Sequence, residues 1–597
     1  MAGGLLQLVA YGSQDLFLTG NPQITFFKIV YRRHTNFALE SRKLTFNGTP
    51  DFGSLSNCNI AMGPDLLYKL YLEISISPGK WSNLDTNNIR SFRWLNWLGH
   101  ILIKDITFNI GGSQIDKHTG EWYHINNELS QKSGKAEAYA EMIGNTPLYT
   151  QIQTNNSTED TVFFDENIEL CIPLQFWFCK NPGLALPLIA LQHTSVNIEI
   201  TFEELNNCIW GSLQTVDNYS HSAGSNIFSE KAPSFSDNNQ GSCYLYADYI
   251  YLDIDERKRF ASSAHEYLIE TLKIGSSVES SKGKTSEKYT LNFTHPIKEI
   301  IWVNQIKDFK NNNFAQSRGG LQHFNYTTEW DYTGFTGTPE CHKGTGMVGG
   351  RKSQNLWYGL PSVNLPYYND ALEPDYSEKL TIETTKWHKY NNWPERISTT
   401  TDSSTKKKLG YDNISMYHIN NDTIKGNRDS YKLKNIDRMI GSTGIIQSDD
   451  YNLNPVNNIS IPAQYYGNWS GTHGNAQQSS NLRLLDQGKN PTKSAQIVLN
   501  GIDRFSKRNG FYFNTIQPYQ HHTNCPAPGI NVYSFALEPE EHQPSGSCNF
   551  SRINTGTIDV DFETDYLKQN NCVMKAYAVG YNILRIMGGQ GQLAYSG

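Results

Sequence analysis

The chain has 597 residues, of which 18% are charged and 12% aromatic, and its formal net charge is −7. That length accommodates two all-β domains of roughly 200 to 250 residues as readily as about four average ones. The acid excess excludes a global basic field able to hold a polyphosphate, so direct nucleic-acid wrapping is not expected.

The nine cysteines (58, 171, 179, 208, 243, 341, 525, 548 and 572) form no C-x-x-C pair. Their odd number and scatter read as free thiols in a reducing compartment. The opening "MAGGLLQLVA" lacks a basic n-region, and Ala2 stands where myristoylation needs glycine. No later apolar run is long enough to span a bilayer. A soluble chain made in the cytosol is the expectation.

In chain order, the apolar stretch Leu5 to Val9 reads as an arm over residues 1–24. "GNPQITFFKIVYRRHTNFALESRKLTF" (20–46) follows a Gly-Asn-Pro turn and is β-prone from Gln23 to Val30, which predicts a first strand ending at Tyr31-Arg32-Arg33-His34. Arg32 and Arg33 fit a solvated or interfacial pair better than a DNA contact. Strands are predicted at 65–77, 99–112, 194–202 and 243–255, where β-branched and aromatic residues alternate with polar ones. "DERKRFASSAHEYLIETL" (255–272) reads as a helix through Phe260, Ala264, Tyr267 and Leu268, joining two halves near 258–266.

The halves echo each other, and duplication is the economical explanation. "HILIKDITF" (100–108) is set against "HPIKEIIWV" (295–303), and the closing run "CYLYADYIYLDI" (243–254) against "MKAYAVGYNILRI" (574–586). "NIGGSQIDKHTGEWYHINN" (109–127) is set against "VLNGIDRFSKRNGFYFNTIQ" (498–517). Residues 306–493 have no counterpart. Their Asn, Ser, Thr, Tyr and Trp content predicts a folded polar excursion, because a structureless loop of that length is improbable.

Candidate chemical motifs fail on context. "GTGMVG" (344–349) lacks the preceding strand and following helix of a dinucleotide site. "GKT" (283–285) has Val278 where a phosphate loop needs its first glycine. His118, Glu121 and His124 lack the spacing that puts two imidazoles on one helical face. His521 and His522 point to opposite sides of an extended chain, and Glu538, Glu540 and Glu541 read as a solvated acidic turn with no partner carboxylate across a cleft. The sequons at Asn413, Asn421, Asn458 and Asn468 are expected by chance in so Asn-rich a segment. No catalytic, cofactor-binding or metal-ligating residue is assigned.

Five segments occur together in order: "GNPQITFFKIVYRRHTNF", "IPLQFWFCKNPGLALPLIALQHTSV" (172–196), "YADYIYLDIDERKRFA" (246–261), "QPYQHHTNCPAPGINVYSFALEPEEHQPSGSCNFSRI" (517–553) and "YNILRIMGGQGQLAYS" (581–596). With them the chain resembles the major capsid protein of nucleocytoplasmic large DNA viruses, from about residue 5 to the C-terminus and excluding most of 306–493. The resemblance implies an all-β double jelly roll, two consecutive eight-stranded jelly rolls at 25–257 and 258–597, with 306–493 inserted in the second as an outer tower.

It also implies a homotrimeric, pseudo-hexagonal capsomer that tiles an icosahedral shell. The implied partners are neighbouring capsomers, minor capsid and penton proteins and an internal membrane layer, with no direct nucleic acid. Assembly in the host cytoplasm and residence in the virion follow from the same resemblance, as do surface glycans added by viral enzymes. The residues alone establish only two duplicated all-β domains. That leaves a jelly-roll carbohydrate-binding module or lectin as the alternative, since the aromatic residues of 306–493 could stack on sugars.

Overall fold

The computed structural model describes residues 3–10, 12–79, 89–150, 153–155, 167–214, 219–222, 231–235, 242–311, 320–328, 489–563 and 570–595. "GTGMVG", the four sequons named above and Trp330, Trp357, Trp387, Trp393 and Trp469 fall outside these residues, as do most of 306–493 and Cys341.

The sandwich of the first half, beside a separate small sheet of residues 89–94, 153–155, 209–214 and 219–222, is built from β1 (Phe37–Leu44), β2 (Leu55–Asn59), β3 (Leu66–Ile76), β4 (Ile103–Ile110), β5 (Ser113–Thr119), β6 (Ile168–Pro173), β7 (Val196–Phe202) and β8 (Ser242–Leu252). They pair antiparallel in two sheets, in the orders β1-β8-β3-β6 and β2-β7-β4-β5. The second half is built from β9 (His265–Ile274), β10 (Ser286–Thr290), β11 (Pro296–Ile306), β12 (Thr492–Leu499), β13 (Ile502–Asp503), β14 (Ile530–Ser534), β15 (Gly556–Phe562) and β16 (Cys572–Met587). Their orders are β9-β16-β11-β14 and β10-β15-β12-β13. Each strand of the second half thus takes the place held by the strand eight earlier. The interleaved order, in which the first and last strands of a half pair and the chain crosses between sheets, is that of a jelly roll.

Alternation drives the folding of each sandwich. Along β7 and β15 buried and half-buried residues strictly alternate, so one face of each strand enters a core. Leu72, Phe108, Ile198 and Leu245 meet in the first core, and Tyr289, Trp302, Ile558 and Met574 in the second. The proposed echo of 109–127 in 498–517 holds in detail. Gly111 (φ 60°) and Gly112 (φ 77°) turn β4 into β5, and Asn500 (φ 51°) and Gly501 (φ 78°) turn β12 into β13. Both are two-residue hairpins that need positive φ at each position. The closing strands β8 and β16 are likewise equivalent.

Three sequence expectations are corrected. "HILIKDITF" and "HPIKEIIWV" are not counterparts: residues 98–102 are helical, 103–110 form β4, and 296–306 form β11, which matches β3. Their likeness is one of composition between central strands. Gln23 to Val30 is not a strand. Strand structure begins at Phe37, opposite Leu252, where β8 ends, so no neighbour remains to satisfy a strand further upstream. The helix expected over 255–272 stops at Ser262. Asp253 caps its start by accepting from the Ile254 N–H at 2.8 Å, while Tyr267, Leu268 and Ile269 pair with β16 instead. Cross-strand pairing overrides the weak helical spacing.

Candidate functional site

The two sandwiches meet along a seam, built from one short helix at Gly120–Ser130. Thr119 caps it by accepting from the Trp122 N–H at 3.2 Å. Gly120 is required at its start, since a Cβ would lie 1.9 Å from the His100 carbonyl oxygen. Trp122, Ile125 and Leu129 share one face and bury it on Ile301, Val303, Ile530, Val532, Tyr577 and Val579 of the β16-β11-β14 surface. Burial of such apolar side chains stabilises by about 1.5–3 kcal/mol each. Phe324 and Tyr326 close the same cluster. These described residues of the 306–493 excursion therefore turn back onto the first half.

Ion pairs frame the apolar patch. Glu121 is held by Lys575 and accepts from the Tyr326 hydroxyl at 3.1 Å. Burial opposes its charge, yet Lys310 and Lys575 outweigh that and keep its carboxyl at about 2. Asp116 accepts from the Leu272 N–H at 3.1 Å, and Lys180 of the first half pairs with Glu270 of the second at 3.4 Å. Lys298, buried in the second half, donates to Glu270 and to the Pro539 carbonyl.

Beside these groups the imidazole of His522 lies between Glu299 (3.2 Å) and Glu540 (3.0 Å). Burial works against its charge, but the two carboxylates prevail and raise it to about 9. Burial also pushes Glu299 upward, and His522 and Lys298 more than offset that and hold it below the usual carboxylate range. A cavity of about 300 Å³ separates the halves here, lined by Trp122, Gln175 and Lys180 on one side and Lys298, Glu299 and His522 on the other.

The residues singled out by sequence are dispersed or differently employed. His118 pairs with Asp116 at 3.0 Å, Glu121 with Lys575, and the His124 ring stacks on Phe324 with centroids 4.4 Å apart. Gly283 (φ 96°) lies in the exposed turn before β10, where Lys284 pairs with Glu287. His521 and His522 end a helical stretch rather than an extended one: His521 bonds the Leu537 carbonyl oxygen, and His522 enters the seam. Glu538, Glu540 and Glu541 are exposed as read, with Glu540 in a turn, but Glu540 also reaches back to pair with His522 and accepts from the Thr523 N–H at 3.1 Å. Sequence reasoning missed Glu299 and Lys298, whose charges sit in a buried central strand. That anomaly was the available signal.

In contrast to the seam, the N-terminal arm and the segment that follows it are exposed in the described structure. Phe17, Phe26 and Phe27 are 95%, 90% and 96% exposed, and Leu8, Val9, Ile24 and Val30 are exposed as well. Arg32 and Arg33 are exposed too. Among the described strands β1 stands at the edge of its sheet, with Phe37 and Leu39 exposed. Among the described residues no helix is long and apolar enough to cross a membrane, and the eight described cysteines are free thiols.

Two tandem jelly rolls fused by a buried seam place the chain in the double jelly-roll class of viral capsid proteins. The profile of the major capsid protein N-terminus matches residues 25–253, and that of the large eukaryotic DNA virus major capsid protein matches 256–346 and 375–592. The major capsid protein of Phaeocystis pouchetii virus is 35% identical over 620 residues, and capsid protein 1 of Acanthamoeba polyphaga mimivirus 34% over 635, each across the whole of both chains. In fold, the chain resembles the PBCV-1 virus capsid protein (TM-score 0.53, 24% identity, 96% of this chain and 100% of that one) and the Faustovirus major capsid protein (TM-score 0.52, 12% identity, 97% and 94%). The chain belongs to the major capsid protein family of large eukaryotic DNA viruses: it is a structural component of the virion and not an enzyme.

Proposed function

We propose that three copies of this chain form a capsomer of pseudo-hexagonal outline that tiles the icosahedral shell of a large double-stranded DNA virus. The observation that carries this is the strand-for-strand equivalence of the two halves. Two like sandwiches in each of three chains supply a near-sixfold outline from a threefold axis. In this reading 1–24 is an arm, 25–257 and 258–597 are the two jelly rolls, and most of 306–493 stands outward, where tiling leaves room.

The exposed arm and β1 edge reach neighbouring capsomers, minor capsid and penton proteins, or an internal membrane layer. The net charge of −7 argues against contact with the genome. The protein acts by association, without a catalytic, cofactor or metal site, and is assembled in the host cytoplasm. Negative-stain microscopy of the purified protein tests the proposal. Compact particles with hexagonal outlines are expected, and uniform two-lobed particles of single-chain size would refute it.

A further inference from the structure

The helix that closes the seam has a twin in the second half. Residues 510–521 follow the β12–β13 hairpin as residues 120–130 follow β4–β5. A Cβ on Gly510 would lie 1.8 Å from the Thr492 carbonyl oxygen at the start of β12, and one on Gly120 2.5 Å from that of Ile103 at the start of β4. Asn509 accepts from the Tyr512 N–H at 3.1 Å, as Thr119 does from Trp122. Tyr123 and Phe513, next in each helix, are both fully buried. This match sets Trp122, Ile125 and Leu129 against Tyr512, Thr515 and Tyr519. Leu129 is 2% exposed, whereas Tyr519 is 80% exposed, with Phe511 beside it at 54%.

The surface that receives the first helix also has a twin. In the seam sheet Ile301 lies opposite Tyr577 and Val532. In the first half Tyr71 lies opposite Tyr246 and Pro173. One pair along, Val303 faces Lys575, and Glu73 faces Tyr244. The equivalent face of β8-β3-β6 therefore carries Tyr71, Tyr244 and Tyr246 with Glu73 and Asp248, all half-buried. No segment of the described chain covers it as the 120–130 helix covers the seam sheet.

Both members of the pair differ together. Within the chain an indole and two aliphatic side chains meet aliphatic strands, and Glu121 meets Lys575. In the twins the helix offers tyrosines to a tyrosine face, with Phe511 in the place of Glu121 and Tyr244 in the place of Lys575. A surface that stays in water until it is covered is well served by tyrosine, whose ring is apolar and whose tip is polar.

We propose that the 510–521 helix docks on the β8-β3-β6 face of a second copy of this chain, repeating between copies the contact that the 120–130 helix makes within one. The proposal rests on the trimer reading above and assigns its interface. Cross-linking of the full-length protein tests it. Phe511→Cys combined with Tyr244→Cys, in a Cys171→Ser background because Cys171 lies on the same face, is oxidised and run on a non-reducing denaturing gel. Covalent species up to trimer are expected, and neither single cysteine variant should give them.

Trimers by light scattering without the cross-link would overturn the docking and leave the trimer standing; monomers without it would overturn both. In parallel, Tyr519→Arg should raise the concentration needed for trimerisation at least tenfold while Tyr519→Phe leaves it within twofold. The near-ultraviolet circular dichroism of the trimer, recorded well above that concentration, should be unchanged in both. An unaltered trimer with Tyr519→Arg would likewise overturn the proposal.

Discussion

The seam holds buried histidines in two opposite states. At one place His522 is wedged between Glu299 and Glu540 and is raised to about 9, so it is charged at neutral pH. At another, His100, His124 and His323 sit among Trp97, Tyr139 and Phe324. Burial holds His124 and His323 down at about 3 and His100 well below its ordinary value, so all three are neutral. His100 bonds the Tyr139 hydroxyl at 2.8 Å and His323 the Asn207 carbonyl oxygen at 2.7 Å. Among these four, burial yields opposite charge because only His522 has carboxylates in contact. The seam should therefore weaken at both ends of the pH scale, for different reasons.

The largest effect is expected in acid. His124 and His323 have folded values below the unfolded one of about 6.5, so the unfolded chain binds more protons, and stability falls as pH drops from 6.5 toward 3. At about 1.36 kcal/mol per unit, each contributes a loss of about 5 kcal/mol by the end of that window. Glu121 and Glu299, held low by their cationic neighbours, add their own losses as pH falls below the ordinary carboxylate range. Thermal melts from pH 7 to 4 should show a steep decline, and His124→Phe, which preserves stacking on Phe324, should flatten it. An equally steep decline in that variant would assign the acid sensitivity elsewhere.

Next in size is Glu299→Gln, which leaves a buried imidazolium with one carboxylate fewer. A loss of about 3–5 kcal/mol at pH 7 is expected from denaturant unfolding. The alkaline limb is smaller. His522 has its folded value above the unfolded one, so its contribution is complete below about pH 6.5 and disappears as pH rises through 9, about 3 kcal/mol in total. His522→Gln should remove this decline in the same melts, leaving the opposite, rising contribution of Lys310, which burial lowers to about 8. The smallest effect belongs to its neighbour: His521→Gln removes one exposed hydrogen bond to Leu537 and should cost about 1 kcal/mol or less.

How much of this was legible in the sequence depends on distance along the chain. The closing strands 243–254 and 574–586 and the hairpins at Gly111–Gly112 and Asn500–Gly501 were readable, because alternation and positive-φ turns are local properties. The long ordered motifs carried the family. The His522 cluster was not readable, since Glu299 and Glu540 reach it only through the β11-β14 pairing and the loop after β14, and no local spacing encodes that meeting. Gln23 to Val30 misled because β-propensity describes a side chain's fit to a sheet and says nothing of whether a neighbouring strand exists. Residues 296–303 misled because two central buried strands have the same composition whatever their place in the order.

The central claim is that the duplicated chain closes into a trimer, and size-exclusion chromatography with multi-angle light scattering tests it most directly. At micromolar concentration and neutral pH the account predicts a species of about 203 kDa, three times the 67.7 kDa chain, with no folded monomer in equilibrium, as expected for an obligate interface. A well-folded protein eluting at the mass of one chain would contradict it.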